Sequence, residues 1–172
     1  MVAPRLKVTV LISGRGSNLG ALIDACATSN FPAEIVRVIS NETNAGGLVK
    51  AAKAGIPTAA VPHHNYPNRR SFEADLDKEI RAAGTQLIAL AGFMRLLTEA
   101  FVDKWRNRLI NIHPSLLPSF KGLHTHKRAI EAGVRFSGCT VHFVRPAMDE
   151  GPIIVQSAVP ILSGDDATSL EA

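Results

Sequence analysis

The sequence predicts an α/β protein built around a mostly parallel, twisted sheet of about seven strands with helices on both faces. Apolar runs of strand length alternate with amphipathic helical segments, and glycine-containing turns separate them. One of these runs, QLIALAG, is apolar from Leu87 onward, which is typical of a strand buried on both faces of a parallel sheet. Strands separated by helices favour right-handed parallel crossovers.

The first half of the chain consists of predicted strand and helix pairs. LKVTVLI is the first strand, and Leu19, Leu22, Ile23 and Cys26 follow with the spacing of one helix face. EIVRVIS is the second strand, and the next helix, NAGGLVKAAKAG, ends at Gly55 before the short strand PTAAV. The helix SFEADLDKEIRAAG then leads into QLIALAG, so that this half contains four predicted strands.

The second half begins with a short helix around TEAFVDKW and continues with the strand RLINIH, a proline-rich loop and the helix HKRAIEAG. The strands GCTVHFV and GPIIVQSAVPI follow with only a loop between them, so we expect an antiparallel arrangement at this end of the sheet. We find no repeat or linker, and a chain of 172 residues suits one core, so residues 1–172 are predicted to form a single domain.

Composition limits the class of protein. Hydrophobic residues make up 46% and charged residues 20% of the chain, and no apolar run has the roughly 18 residues of a membrane span. The first apolar run leads into Gly-Arg-Gly rather than a cleavage site, and Cys26 and Cys139 lack a secretory context, so we expect reduced cysteines and a cytoplasmic protein. The net charge of +4 is spread along the chain, which favours a small anionic substrate over nucleic acid.

The loop after the first strand, ISGRGSNLGALID, is a candidate phosphate site. Gly14 and Gly16 permit close approach to the backbone, and Ser17 and Asn18 are candidate N-caps of a helix whose free N–H groups suit an anion. The alternatives are an ordinary tight turn and a dinucleotide fingerprint. The dinucleotide pattern G-x-G-x-x-G fails, because Leu19 occupies the third glycine position.

The segment RLINIHPSLLP carries the candidate catalytic groups. Asn111 and His113 are two residues apart at the end of a predicted strand, so their side chains leave the same face, at the sheet edge where ligands bind in parallel α/β folds. An amide N–H and an imidazolium N–H directed at one atom form an oxyanion hole. Pro114 and Pro118 stiffen the loop that follows.

An acid is expected beside His113, because a neighbouring carboxylate keeps an imidazole protonated. Asp149, in the turn RPAMDEGPI, is the best candidate, and Glu150 is the alternative. Each residue taken alone also has an ordinary structural explanation: buried Asn and His often satisfy backbone groups, and Asp149 can initiate a turn.

Other polar residues are weaker candidates. His124 and His126 have an H-x-H spacing that could form a metal site with His113, but no acid or cysteine is close in sequence, so no metal is predicted. His63 and His64 are interpreted as part of a solvated loop. The serine-hydrolase motif G-x-S-x-G is absent from the sequence.

Taken together, four segments resemble one family in order along nearly the whole chain: VLISGRGSNL, LAGFMRLL, NIHPSLLPSFKGLHTH and GCTVHFV…MDEGPII. They resemble the folate-dependent glycinamide ribonucleotide formyltransferases of purine biosynthesis, which have a Rossmann-like sheet. The resemblance implies transfer of a formyl group from 10-formyltetrahydrofolate, as cosubstrate, to the primary amine of glycinamide ribonucleotide, without a metal. It also implies a monomer or homodimer.

The resemblance assigns residues to three roles. Asn111, His113 and Asp149 are implied to be catalytic. Gly16, Ser17 and Asn18 are implied to hold the substrate phosphate. The implied folate contacts are Arg69, Met94, Arg95, Leu96, Leu97, Asn111 and Asp149. The sequence ends at LSGDDATSLEA, where a helix begins, whereas family members continue into a C-terminal helix, so the single formyltransferase domain is expected to lack that helix.

Three rival functions remain. Formyltetrahydrofolate hydrolases and methionyl-tRNA formyltransferases share the Asn-x-His and later Asp arrangement, but the hydrolases resemble this chain less because they carry an additional N-terminal domain. The tRNA enzymes require a further C-terminal domain and a basic face. A non-catalytic phosphosugar-binding protein could use the first loop, but it would not require the pairing of Asn111 with His113.

Overall fold

The computed structural model describes residues 4–171. Two compact units make up the chain, the first ending at Leu109 and the second beginning at Ile110. The single-domain organisation stays a prediction. Within the described residues, no helix combines the length and the apolar character needed to cross a bilayer.

Over residues 4–109, the first unit contains four strands, four α-helices and one 3-10 turn. The strands are β1 (Leu6–Ile12), β2 (Ala33–Ser40), β3 (Thr58–Ala60) and β4 (Leu87–Leu90). The helices are α1 (Ser17–Ala27), α2 (Gly46–Lys53), α3 (Arg69–Ala82) and α4 (Glu99–Lys104), and the 3-10 turn is His63–Asn65.

All strand pairs in this unit are parallel. β1 lies between β2 and β4, and β3 pairs with the outer side of β2. Val10, Leu11 and Ile12 at the end of β1 are completely buried, and Ile88 in β4 is buried to the same degree. The apolar runs therefore form the centre of the sheet, as the sequence predicts.

A buried carboxylate anchors the helices of the first unit. Asp77 of α3 accepts a hydrogen bond from the indole Nε1 of Trp105 at 2.8 Å, and it also accepts from Arg81 at 2.9 Å and Lys104 at 3.1 Å. Burial raises the pKa of Asp77, but the three donors together outweigh it and hold the pKa below its usual value. The indole and carboxylate thus join α3 to the end of α4.

As far as residue 171, the second unit contains three strands and two short helices. The strands are β5 (Leu109–His113), which starts at the boundary residue, β6 (Phe136–Phe143) and β7 (Ile153–Pro160). The helices are α5 (Thr125–Glu131) and α6 (Ala167–Glu171). β6 pairs antiparallel with β7, and every residue of β7 is exposed.

β5 and β6 are also antiparallel, although α5 lies between them in the sequence. The intervening helix favours a parallel crossover, and that inference is wrong for this pair. The reason is that the connection stays at the carboxyl end of β5. Thr140 of β6, which pairs with His113, donates to the carbonyl of Ser115 at 2.7 Å and accepts from the amide of Leu117 at 3.0 Å.

The strand order is β3-β2-β1-β4 in the first unit and β5-β6-β7 in the second. The fold class is therefore confirmed: a seven-stranded mixed sheet with parallel strands first and antiparallel strands last.

Candidate active site

The three predicted catalytic residues all lie in the second unit. Asn111 and His113 occupy alternate positions of β5, and Asp149 lies in the turn between β6 and β7. His113 is buried, and the side chain of Asp149 is 10% exposed. Asp149 has a positive φ of 56°. Gly151, in the same turn, has no room for a side chain, because a Cβ there would lie 1.6 Å from the carbonyl oxygen of Phe143.

Both ring nitrogens of His113 face hydrogen-bond acceptors. Nε2 lies 3.0 Å from the carbonyl oxygen of Phe120, and Nδ1 lies 3.5 Å from Oδ2 of Asp149. A carbonyl only accepts, so Nε2 carries a proton, and a lone pair on Nδ1 would face a carboxylate. A ring with a proton on each nitrogen can donate to both neighbours, and the charged state of His113 stays a prediction.

The same ion pair fixes the proline-containing loop. Asp149 Oδ2 accepts a hydrogen bond from the backbone N–H of Gly122 at 2.9 Å, while His113 donates to Phe120 two residues earlier. These contacts close a ring that joins the end of β5, the loop and the β6–β7 turn. The adjacent acid, Glu150, points elsewhere and forms an exposed ion pair with Lys121 at 2.8 Å. The geometry therefore favours Asp149 over Glu150 as the partner of His113.

Asn111 has a partner that sequence reasoning missed. His142 of β6 is its cross-strand neighbour, and Asn111 Nδ2 lies 3.2 Å from His142 Nε2. Burial lowers the pKa of His142, which outweighs the opposing influence of the Phe143 carbonyl and the Asp149 carboxylate, so the ring is neutral at neutral pH. The only signal for His142 in the sequence is a histidine within a predicted strand.

The tautomer of His142 orients the amide of Asn111. Nδ1 of His142 lies 3.1 Å from the Phe143 carbonyl oxygen and must donate to it, so Nε2 of the neutral ring is an acceptor. One N–H of the Asn111 amide is thus directed to His142. The amide has a second N–H, which can be donated to a substrate oxygen.

The predicted phosphate loop lies in the first unit and is shaped by glycine. Gly16 precedes α1 with φ 68° and ψ 47°, in the left-handed region, and no side chain caps the helix. The expectation that Ser17 or Asn18 caps α1 is therefore wrong, because the helix already begins at Ser17. Both side chains are exposed. The first N–H groups of α1 consequently retain their capacity to bind an anion.

A second helix packs against this loop. Gly47 of α2 donates its N–H to the Gly14 carbonyl at 3.0 Å, and its Cα lies 2.8 Å from where a Cβ on Gly16 would be. Lys50 of α2 donates to the Gly16 carbonyl at 3.1 Å. The close packing of Gly16 on Gly47 brings a lysine side chain to the loop, which adds positive charge beside the α1 N-terminus.

The predicted folate residues also lie in the first unit. Met94, Arg95 and Leu96 are exposed in the segment after β4, Leu97 is half-buried, and Arg69 is exposed at the start of α3. The backbone N–H of Met94 donates to Ser13 Oγ at 2.7 Å, so this segment is joined to the end of β1 just before the phosphate loop. Two exposed apolar side chains, Met94 at 66% and Leu96 at 58%, are available to a flat ring.

Comparisons with known proteins identify the family of this chain. The formyl transferase family model matches residues 6–172, and the chain belongs to that family. It is 44% identical over 167 residues to phosphoribosylglycinamide formyltransferase of Escherichia coli, covering 97% of this chain and 79% of that protein. The crystal structure of glycinamide ribonucleotide transformylase 1 from Symbiobacterium toebii is similar with a TM-score of 0.94 and 44% identity, covering 97% of this chain and 79% of that one.

Longer relatives also match. The chain is 56% identical over 169 residues to the trifunctional purine biosynthetic protein adenosine-3 of Drosophila pseudoobscura pseudoobscura. The match covers 97% of this chain but only 12% of that protein. The family resemblance predicted from the four sequence segments is confirmed.

Proposed function

We propose that this chain is a phosphoribosylglycinamide formyltransferase, which transfers the formyl group of 10-formyltetrahydrofolate to the primary amine of glycinamide ribonucleotide. The products are N-formylglycinamide ribonucleotide and tetrahydrofolate, as in purine biosynthesis. The observation that carries the proposal is the ion pair between His113 and Asp149 beside the oriented amide of Asn111. The names of the relatives support the same substrates.

The proposed reaction begins with attack of the amine on the formyl carbon. Asn111 donates its second amide N–H to the oxygen that becomes negative, and the positive charge of His113 stabilises the same oxyanion. His113 donates to this oxygen through Nε2–H, which exchanges the Phe120 carbonyl for the stronger, anionic acceptor.

Proton transfer completes the reaction. Asp149 keeps His113 protonated and assists removal of the amine proton, through water. The tetrahedral intermediate then collapses, the bond from carbon to the folate nitrogen breaks, and that nitrogen takes up a proton. The side chains of Asn111, His113 and Asp149, with one water molecule, supply each of these steps, so the proposed mechanism includes no metal.

Binding is assigned to the remaining residues. Gly16, Ser17 and Asn18 hold the substrate phosphate with backbone N–H groups at the start of α1. The proposed folate contacts are Arg69, Met94, Arg95, Leu96 and Leu97, together with Asn111 and Asp149. The units act as a single formyltransferase domain in this proposal. The cytoplasmic location and the choice between monomer and homodimer stay predictions.

The test is an absorbance assay for loss of the formyl group from 10-formyltetrahydrofolate, with and without glycinamide ribonucleotide. We expect turnover only with the amine present. Asp149→Asn should lower kcat by roughly 100-fold or more, because the imidazolium of His113 loses its counter-charge. Loss of one electrostatic interaction that stabilises the transition state raises the activation free energy by about 3 kcal/mol. The matched control, Glu150→Gln, removes an exposed neighbouring acid and should retain wild-type turnover.

Two outcomes would contradict the proposal. Loss of the formyl group at the same rate without the amine would identify a formyltetrahydrofolate hydrolase. Equal activity of Asp149→Asn and the wild-type chain would remove Asp149 from the mechanism. Circular dichroism of each variant establishes that a loss of turnover is not a loss of folding.

A further inference from the structure

A cluster of potential metal ligands lies outside the residues assigned to formyl transfer. Glu42, His63 and His64 each place one ligand atom within 4.8 Å of the others, and this is the only such group of three found among residues 4–171. Nδ1 of His63 lies 3.4 Å from Oε1 of Glu42. His63 and His64 pack edge to face, with ring centroids 5.6 Å apart. We propose that these three residues bind a divalent transition-metal ion, with zinc the best match.

The distances fit a metal centre. Zinc bonds to nitrogen and oxygen of about 2.0–2.1 Å place the ligand atoms of a tetrahedral site roughly 3.3–3.4 Å apart. The separation of Glu42 and His63 already has this value. His64 is exposed, so rotation of its side chain can supply the remaining contraction without disturbing the core.

The backbone around the cluster is held rigidly. Glu42 follows the end of β2, and its N–H donates to Ser40 Oγ at 3.0 Å. The N–H of His63 donates to the carbonyl of Asn41 at 3.3 Å, which fixes the 3-10 turn against the strand end. Asn41 is only 3% exposed. The expectation of a simply solvated loop is therefore wrong for His63, which is half-buried and bonded.

Asn41 holds the cluster together in the metal-free chain. Its Nδ2 lies 3.1 Å from His63 Nδ1 and 3.4 Å from Glu42 Oε1, and its backbone carbonyl oxygen lies 3.2 Å from the same Nδ1. A metal ion at Nδ1 takes the lone pair to which the amide N–H points, so metal binding displaces that N–H from the ring. Asn41 Oδ1 in turn accepts from Ser13 at the end of β1.

The ligand types select among metals. Two imidazoles and one carboxylate are the donor set of open zinc sites, with solvent as the fourth ligand, whereas calcium and magnesium prefer sets of oxygen atoms alone. The half-buried position of Glu42 and His63 excludes some solvent, and the carboxylate offsets part of the charge of the ion. This site needs no substrate, so its test is independent of the proposed formyl transfer.

The experiment is a calorimetric titration of the full chain with zinc chloride after treatment with a chelator, in a buffer that does not coordinate metals. We expect saturable binding of one ion per chain. His64→Gln and Glu42→Gln should each weaken the affinity by about tenfold or more, since even partners of ligands contribute this much. His126→Gln is the matched control, because it removes a histidine outside the cluster, and it should bind zinc like the wild type.

Cobalt provides a second readout. Co²⁺ added to the same protein should develop the intense visible bands of four-coordinate cobalt, and these should be lost in His64→Gln. Absence of saturable binding by the wild-type chain would overturn the proposal. Unchanged affinity in both His64→Gln and Glu42→Gln, or loss of binding in His126→Gln, would do the same by placing any bound metal elsewhere. Because His64 is exposed, its variant is expected to fold, and circular dichroism checks this.

Discussion

Gly16 is predicted to be a position where even alanine is strongly destabilising. Its φ of +68° lies in the left-handed region, and a Cβ there would lie 2.8 Å from the Cα of Gly47. The left-handed conformation costs a residue with a side chain about 1–2 kcal/mol. Overpacking against backbone, which cannot rotate away, adds about 1–3 kcal/mol. Gly16→Ala should therefore lower the free energy of unfolding by about 2–5 kcal/mol.

The assay is equilibrium unfolding in urea, followed by circular dichroism. Gly20→Ala is the matched control, because Gly20 lies inside α1 and a Cβ there meets nothing within 4 Å. The same chemical change at Gly20 should stabilise the chain by about 0.5–1 kcal/mol through helix propensity. If Gly16→Ala unfolds within about 0.5 kcal/mol of the wild type, which is the usual range of surface changes, the packing of Gly16 on Gly47 does not constrain this loop.

Three further predictions concern two buried polar groups. The depressed pKa of Asp77 means that its contribution to stability is present above its unfolded pKa of about 3.9 and is lost as pH falls through the lower folded value. Asp77→Asn should flatten that part of the acid-unfolding profile. It should also lower the free energy of unfolding at neutral pH by about 1–3 kcal/mol, because the indole of Trp105 and two cations lose a charged acceptor. An unchanged acid-unfolding profile would contradict this prediction. His142→Phe should lower kcat roughly 10- to 100-fold with little change in KM, because the Asn111 amide loses the acceptor that orients it. A kcat equal to that of the wild type would show that the amide needs no such partner. The lowered pKa of His142 also predicts that wild-type stability declines as pH falls below about 6.5 and that this decline is reduced in His142→Phe.

The parallel half of the sheet was predictable from local patterns. The apolar runs of β1 and β4 are long enough to identify buried strands without knowledge of their partners. The antiparallel pairing of β5 with β6 was not predictable in this way. It depends on two hydrogen bonds between Thr140 and the loop after His113, one donated and one accepted by Thr140, and these are contacts between residues distant in sequence.

The candidate site shows the same division. Asn111 and His113 are two positions apart on one strand, so their convergence follows from strand geometry alone. His142 faces Asn111 only because of the register between β5 and β6, and a lone histidine in a strand does not reveal that register. His63 and Glu42 are 21 residues apart in the sequence, and they meet because the 3-10 turn packs on the end of β2.

The positive φ of Asp149 has a consequence for how this chain can evolve. Phe120, whose carbonyl oxygen lies 3.0 Å from His113 Nε2, shares this unfavourable backbone conformation with a φ of 54°, so two strained residues lie at one ion pair. Glycine at position 149 would relieve the conformational cost and favour folding, yet it would delete the carboxylate. Selection for thermal stability alone would therefore favour replacement of Asp149, and a screen for more stable variants should keep position 149 fixed as aspartate.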